Sequence, residues 1–145
     1  MTTTAIPGRV TAPSRRQVRS RVLAVTAAVL AALVAWSVAV PLLGVDLTVR
    51  TSPGGGSVQT IGPGVVLVVS LLASLLGWGL LTMLERRTYR GGTVWTGTAG
   101  VVLLLSLTGP LTAAVTTAGA VSLVLLHLSV GAVLIPLLRR TALTH

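Results

Sequence analysis

Four apolar stretches, each near the length of a bilayer crossing, constrain this chain more than any other feature. They read "VLAVTAAVLAALVAWSVAVPLL" (Val22 to Leu43), "GVVLVVSLLASLLGWGLLTML" (Gly64 to Leu84), "WTGTAGVVLLLSLTGPLT" (Trp95 to Thr112) and "AVSLVLLHLSVGAVLIPLL" (Ala120 to Leu138). A hydrocarbon core about 30 Å thick needs roughly 20 mostly apolar residues per helix. Hydrocarbon cannot satisfy bare backbone groups, so each stretch must be a helix or a paired barrel strand. The runs are continuous and lack the period-two alternation of barrel strands, which decides for helix. The predicted fold is all-α: an integral membrane four-helix bundle made of two antiparallel helical hairpins.

Charge sets the direction of the helices. Of 145 residues only 9% are charged, yet the net charge is +9, and all eleven basic residues are arginine. Arg9, Arg15, Arg16, Arg19 and Arg21 precede the first helix, Arg86, Arg87 and Arg90 separate the second from the third, and Arg139 and Arg140 follow the fourth. Arg50 alone lies on the other side. Cytoplasmic loops retain arginine, so both termini are expected in the cytoplasm of a cell whose inner membrane the chain crosses four times. Trp95 then reads as an interfacial anchor on the cytoplasmic side.

The implied organisation is a flexible basic cytoplasmic tail (1–20), one transmembrane domain (21–140), an outer Gly/Pro-rich loop (45–63), a basic cytoplasmic loop (85–94) and a short cytoplasmic tail (139–145). The arginine clusters should meet anionic lipid headgroups. "SRRQVRSRVLAV" resembles a twin-arginine export signal, but the apolar run that follows is longer than a signal core, so the first helix is read as retained. In the outer loop "VDLTVR" alternates and is expected to be extended or packed on the bundle end, with Pro53 to Ser57 a mobile turn. Asp46 and Arg50 are expected to pair locally or cap a helix end.

Composition excludes several functions. There is no cysteine, which removes disulfides, iron–sulfur clusters and thiolate metal sites. Nucleic-acid binding would interleave basic residues with aromatics on a soluble surface, whereas this chain has no Phe, one Tyr and three Trp. The absence of Lys beside abundant Ala, Arg, Gly, Val and Thr suggests a GC-rich bacterial genome.

Small residues indicate which faces pack. Ala24, Ala28, Ala31, Ala35 and Ala39 line one face of helix one, and Ser70, Ser74 and Gly77 one face of helix two; both should point inward, since small side chains let helix backbones approach where lipid gives no hydrophobic drive. Pro110 with Gly109 should kink helix three and free a carbonyl near Ser106. The pairs "SVAVPL"/"SLTGPL" and "LERRT"/"LLRRT" look like a repeated hairpin, but the charge rule and the shortness of the motifs account for them without duplication.

One titratable ring lies inside a span: His127, in "LVLLHLSVG", about 11 to 13 Å below the outer end of helix four. At matching depth lie Ser74, Ser106, and Trp36 with Ser37, a candidate polar layer. A neutral imidazole has one donor and one acceptor, which two hydroxyls, or a hydroxyl and a freed carbonyl, can satisfy. The structural reading makes His127 an interhelical fastener; the functional one makes it a proton relay. Catalysis lacks its parts: no acid reaches His127 for a triad, no Gly-x-Ser-x-Gly occurs, and Asp46 and Glu85 lie at opposite membrane ends, so neither a metal nor another cofactor is expected. A non-enzymatic interaction or accessory role follows, with a homo-oligomer or a membrane protein as partner. The alternative is a small proton-linked transporter or channel using His127.

The order "GVDLTVR" after helix one, "LERRT" closing helix two, "LLLSLTGPL" in helix three and "LVLLHLSVGAVLIPLLRRT" in helix four resembles a domain-of-unknown-function family of small actinobacterial membrane proteins. That resemblance implies a four-helix membrane fold, no established activity and no site residues to carry over.

Overall fold

Helix α1 starts where the sequence supplies a cap: the Ser14 hydroxyl accepts from the Gln17 amide at 3.2 Å, and Arg15–Ser37 follows as regular helix. The computed structural model describes residues 14–51, 56–88 and 90–142. Much of the expected 1–20 tail lies outside them, but its residues 15–20 are the first turns of α1. Arginine is a good helix former, so the helix does not stop where the apolar run does.

At its far end α1 widens into a π-helical turn, Val38–Leu42, with Pro41 inside it. Proline has no amide to donate and its ring crowds the carbonyl four residues back, so this turn bonds with a longer reach, as in Leu43 N–H to Val38 O at 3.0 Å. Gly44, at φ 65°, then reverses the chain in a conformation that only glycine adopts without strain.

The outer connection is an antiparallel hairpin, β1 (Thr48–Arg50) with β2 (Val58–Thr60), in register Thr48 to Thr60. The extended reading of "VDLTVR" is thus a strand. Leu47, immediately before it, is 1% exposed and packs with Ala32, Val66, Leu123 and Leu126, closing that end of the bundle. Val115 N–H donates to Thr48 O at 3.1 Å, pinning the hairpin to the last connection. Part of the expected 53–57 turn lies outside the described residues. Asp46 and Arg50 are both exposed, and no ion pair joins them among the described residues.

Helix α2 spans Pro63–Arg87, with Pro63 in its first turn, where a missing amide costs nothing. The third crossing is two pieces, α3 (Gly91–Ser106) and α4 (Thr108–Ala113), interrupted at Leu107. The expected break is there: Pro110 cannot donate to the Ser106 carbonyl. Helix α5, Thr117–Ala142, completes four helices long and apolar enough to cross a membrane.

α1 packs on α2 and α5, and α3 packs on the same two, a closed bundle. Its inner seam is built from small residues. Ala24, Ala28 and Ala32 are buried on α1 and Ala39 in the π-helical turn that extends it, Ala32 taking the inward place expected of Ala31, and Ser70 and Ser74 are buried on α2. Gly131 lets α3 press close to α5, since a Cβ there would stand 2.5 Å from Leu103 Cδ2. Trp95 is a correction: it is 1% exposed, packed with Leu81, Leu134 and Leu138, and its indole N–H donates to Gly77 O at 2.9 Å. It is a core residue and not an interfacial anchor, because α3 turns that face onto α2 and α5.

Candidate functional site

Helices α1, α2 and α5 bring a polar cluster together at the end that carries most of the arginines. Arg21, two turns into α1, is 2% exposed. Its Nη2 donates to both carboxylate oxygens of Glu85, at 2.6 and 2.8 Å, its Nη1 to Thr82 Oγ1 at 3.1 Å and its Nε to Thr141 Oγ1 at 3.3 Å. Both threonines are aimed by their own helices: Thr82 donates to Trp78 O at 3.0 Å and Thr141 to Leu138 O at 2.7 Å. Each hydroxyl spends its proton on a backbone carbonyl and turns a lone pair to the guanidinium. One side chain of α1 thereby joins the C-terminal turns of α2 and α5, so the start of α1 and the end of α5 lie at the same end of the bundle.

Glu85 sits in the last turn of α2, where the helix dipole disfavours a carboxylate and favours its neighbours Arg86 and Arg87. Arg21 supplies the opposing charge. A planar, permanently charged fork with five donors suits this place better than lysine would. Sequence reasoning missed the pair because it counted Arg21 with the arginines that orient the helix. A signal existed: Arg21 falls on the same face as Ala24, Ala28 and Ala32, the face that packs inward.

The candidate polar layer does not assemble. His127 is half-buried, and its Nδ1–H donates to Leu123 O of its own helix at 2.8 Å. Ser106 donates to Leu103 O at 2.7 Å and Ser37 to Leu33 O at 2.8 Å, also within their helices. Trp36 does cross between elements, donating to Ile61 O at 3.0 Å, but at the hairpin end and away from mid-bundle. Ser74 is fully buried and its Oγ has no partner among the described residues. Among the described residues no hydrogen bond joins any two of the five. The physical reason is local: a hydroxyl, or here an imidazole, reaches the carbonyl three or four residues back without help from a second helix. Equal depth does not oblige two side chains to meet. Replacing His127 with leucine is accordingly expected to change stability in detergent by less than about 1 kcal/mol, read by denaturant-induced unfolding. A larger loss, restored by glutamine, would return the ring to the fastener role.

Among the described residues no three His, Cys, Asp or Glu side chains come near enough to hold a metal ion.

Fold and cluster together define a multi-pass membrane helix bundle whose polar contacts between helices concentrate at one end. The chain belongs to the family of unknown function DUF6069, whose pattern matches residues 12–144. Comparison with curated proteins and with solved structures finds no match.

Proposed function

We propose that this protein is a non-enzymatic accessory protein of the cell's inner membrane, with both termini cytoplasmic, that works by binding acidic groups at its arginine-rich end. The observation that carries this reading is how that end spends its charges. The chain has two acidic residues; Glu85 is held by Arg21, and Asp46 lies at the hairpin end. Arg15, Arg16, Arg19, Arg86, Arg87, Arg90, Arg139 and Arg140 are exposed around the cluster, and among the described residues no acidic side chain pairs with them. Anionic headgroups of the inner leaflet, or an acidic membrane partner or second copy lying against them, supply the missing charge.

Fusions test the orientation. Phosphatase placed in the β1–β2 connection or between α4 and α5 should be active, and a fluorescent protein at either terminus should glow. The opposite pattern would put the arginines outside and end the proposal. Substrate turnover by the purified protein alone would likewise count against a binding role.

A second reading, a small proton-linked transporter or channel, draws its support from His127 Nε2, which has no hydrogen-bond partner among the described residues. It requires that His127→Leu abolish ion flux in proteoliposomes while leaving the fold intact.

A further inference from the structure

Along the outward face of α2, close to the arginine-rich end, runs an open groove of about 660 Å³. Its lining residues Leu75, Trp78, Gly79, Thr82, Met83 and Arg86 follow helical spacing, so they form one stripe, with Arg87 beside it. Leu75 and Met83 are 44% and 56% exposed, so no other helix covers the apolar part. Gly79 makes the dent between them, since a Cβ built there meets nothing within 4 Å.

Two observations identify the occupant. The first is charge: Arg86 and Arg87 close one end of the groove, exposed, while the adjacent Glu85 is turned inward to Arg21. The second is a spare donor. The indole N–H groups of Trp36 and Trp95 each donate to a backbone carbonyl, whereas that of Trp78 has no partner among the described residues. Thr82 adds no donor, because its proton is used by Trp78 O and its lone pair by Arg21. From Arg86 to Trp78 is about 12 Å along the axis, and the arginine side chains shorten that reach. Over this distance the groove changes from cationic, through a single neutral donor, to apolar.

We propose that the groove binds one anionic glycerophospholipid: Arg86 and Arg87 hold its phosphate, the Trp78 N–H an ester carbonyl, and the dent at Gly79 an acyl chain lying between Leu75 and Met83. The site rests on the reading that α2 crosses a bilayer with its arginines at the headgroups, and it goes further by assigning one lipid to one helix face.

Native mass spectrometry of the full chain, extracted from nanodiscs containing phosphatidylglycerol and phosphatidylcholine, counts the lipids retained. The wild type should hold one phosphatidylglycerol in preference to phosphatidylcholine. Arg86→Gln with Arg87→Gln should reduce that preference about 30-fold. Gly79→Leu should expel the lipid while leaving the melting temperature unchanged, because its side chain enters open space. Trp78→Phe, which keeps a ring and loses the N–H, should weaken retention about fivefold. Retention unchanged by Gly79→Leu, or reduced as much by Arg139→Gln with Arg140→Gln as by the groove variants, would overturn the groove while leaving a general attraction to acidic lipid intact. No preference for phosphatidylglycerol in any variant would end both readings.

Discussion

Arg21→Met should lower the unfolding free energy of the bundle by about 3 kcal/mol, the low end of what breaking one side of a buried ion pair costs. The loss comes less from the missing attraction than from what remains. Glu85, 17% exposed at its side chain and placed at the dipole-disfavoured end of α2, would lose the one ion-pair partner it has among the described residues, and two threonine lone pairs would lose their donor. Removing both charges is expected to be far milder. Arg21→Met combined with Glu85→Leu should return stability to within about 1 kcal/mol of the wild type, since apolar side chains of similar size often replace such a pair without loss. Unfolding titrations in mixed detergent micelles would measure all three variants. If Arg21→Met alone changes stability by less than about 1 kcal/mol, the pair behaves as a surface salt bridge and is not a clamp.

The second large effect is expected at Trp95. Trp95→Ala removes the largest fully buried side chain of the core cluster it shares with Leu81, Leu134 and Leu138, and should cost about 3 to 5 kcal/mol. Trp95→Phe keeps most of that volume and loses the N–H that meets Gly77 O at 2.9 Å, so about 1 kcal/mol should suffice. The gap between the two substitutions separates packing from hydrogen bonding in the same titration. A tryptophan that merely anchored the helix at the membrane surface would show little difference between alanine here and alanine at an outward residue such as Leu104, 67% exposed.

The crossings were legible because hydropathy adds up along the chain. Stretches 22–43, 64–84, 95–112 and 120–138 fall within Arg15–Leu42, Pro63–Arg87, Gly91–Ala113 and Thr117–Ala142, apart from one residue at Leu43. Each helix runs past its apolar stretch at one end or both, since polar and charged residues continue a helix as readily as they leave the apolar layer. The break in the third crossing also showed itself locally, at Pro110, whereas the turn widened at Pro41 emerged only in the structure. Trp95 was misplaced because its position near a helix end suits an interfacial ring and a buried one equally well, and only the direction of its face distinguishes them.

The polar contacts were harder to read for a related reason. Arg21 and Glu85 are 64 residues apart, and nothing local to either names the other. His127, Ser106 and Ser37 match in depth when counted along their helices, yet each bonds a carbonyl on its own helix.

The sequence alone determined that this chain makes four apolar helices, that Pro110 disturbs the third, and that ten of its eleven arginines flank the crossings on alternate links. Those properties depend on residues near one another in the chain. Which of the arginines goes inside, that Trp95 belongs to the core, and that the Trp78 N–H finds no partner among the described residues beside an open groove were decided by the tertiary structure. They depend on which helix faces meet, and a face acquires its partner only when the bundle closes.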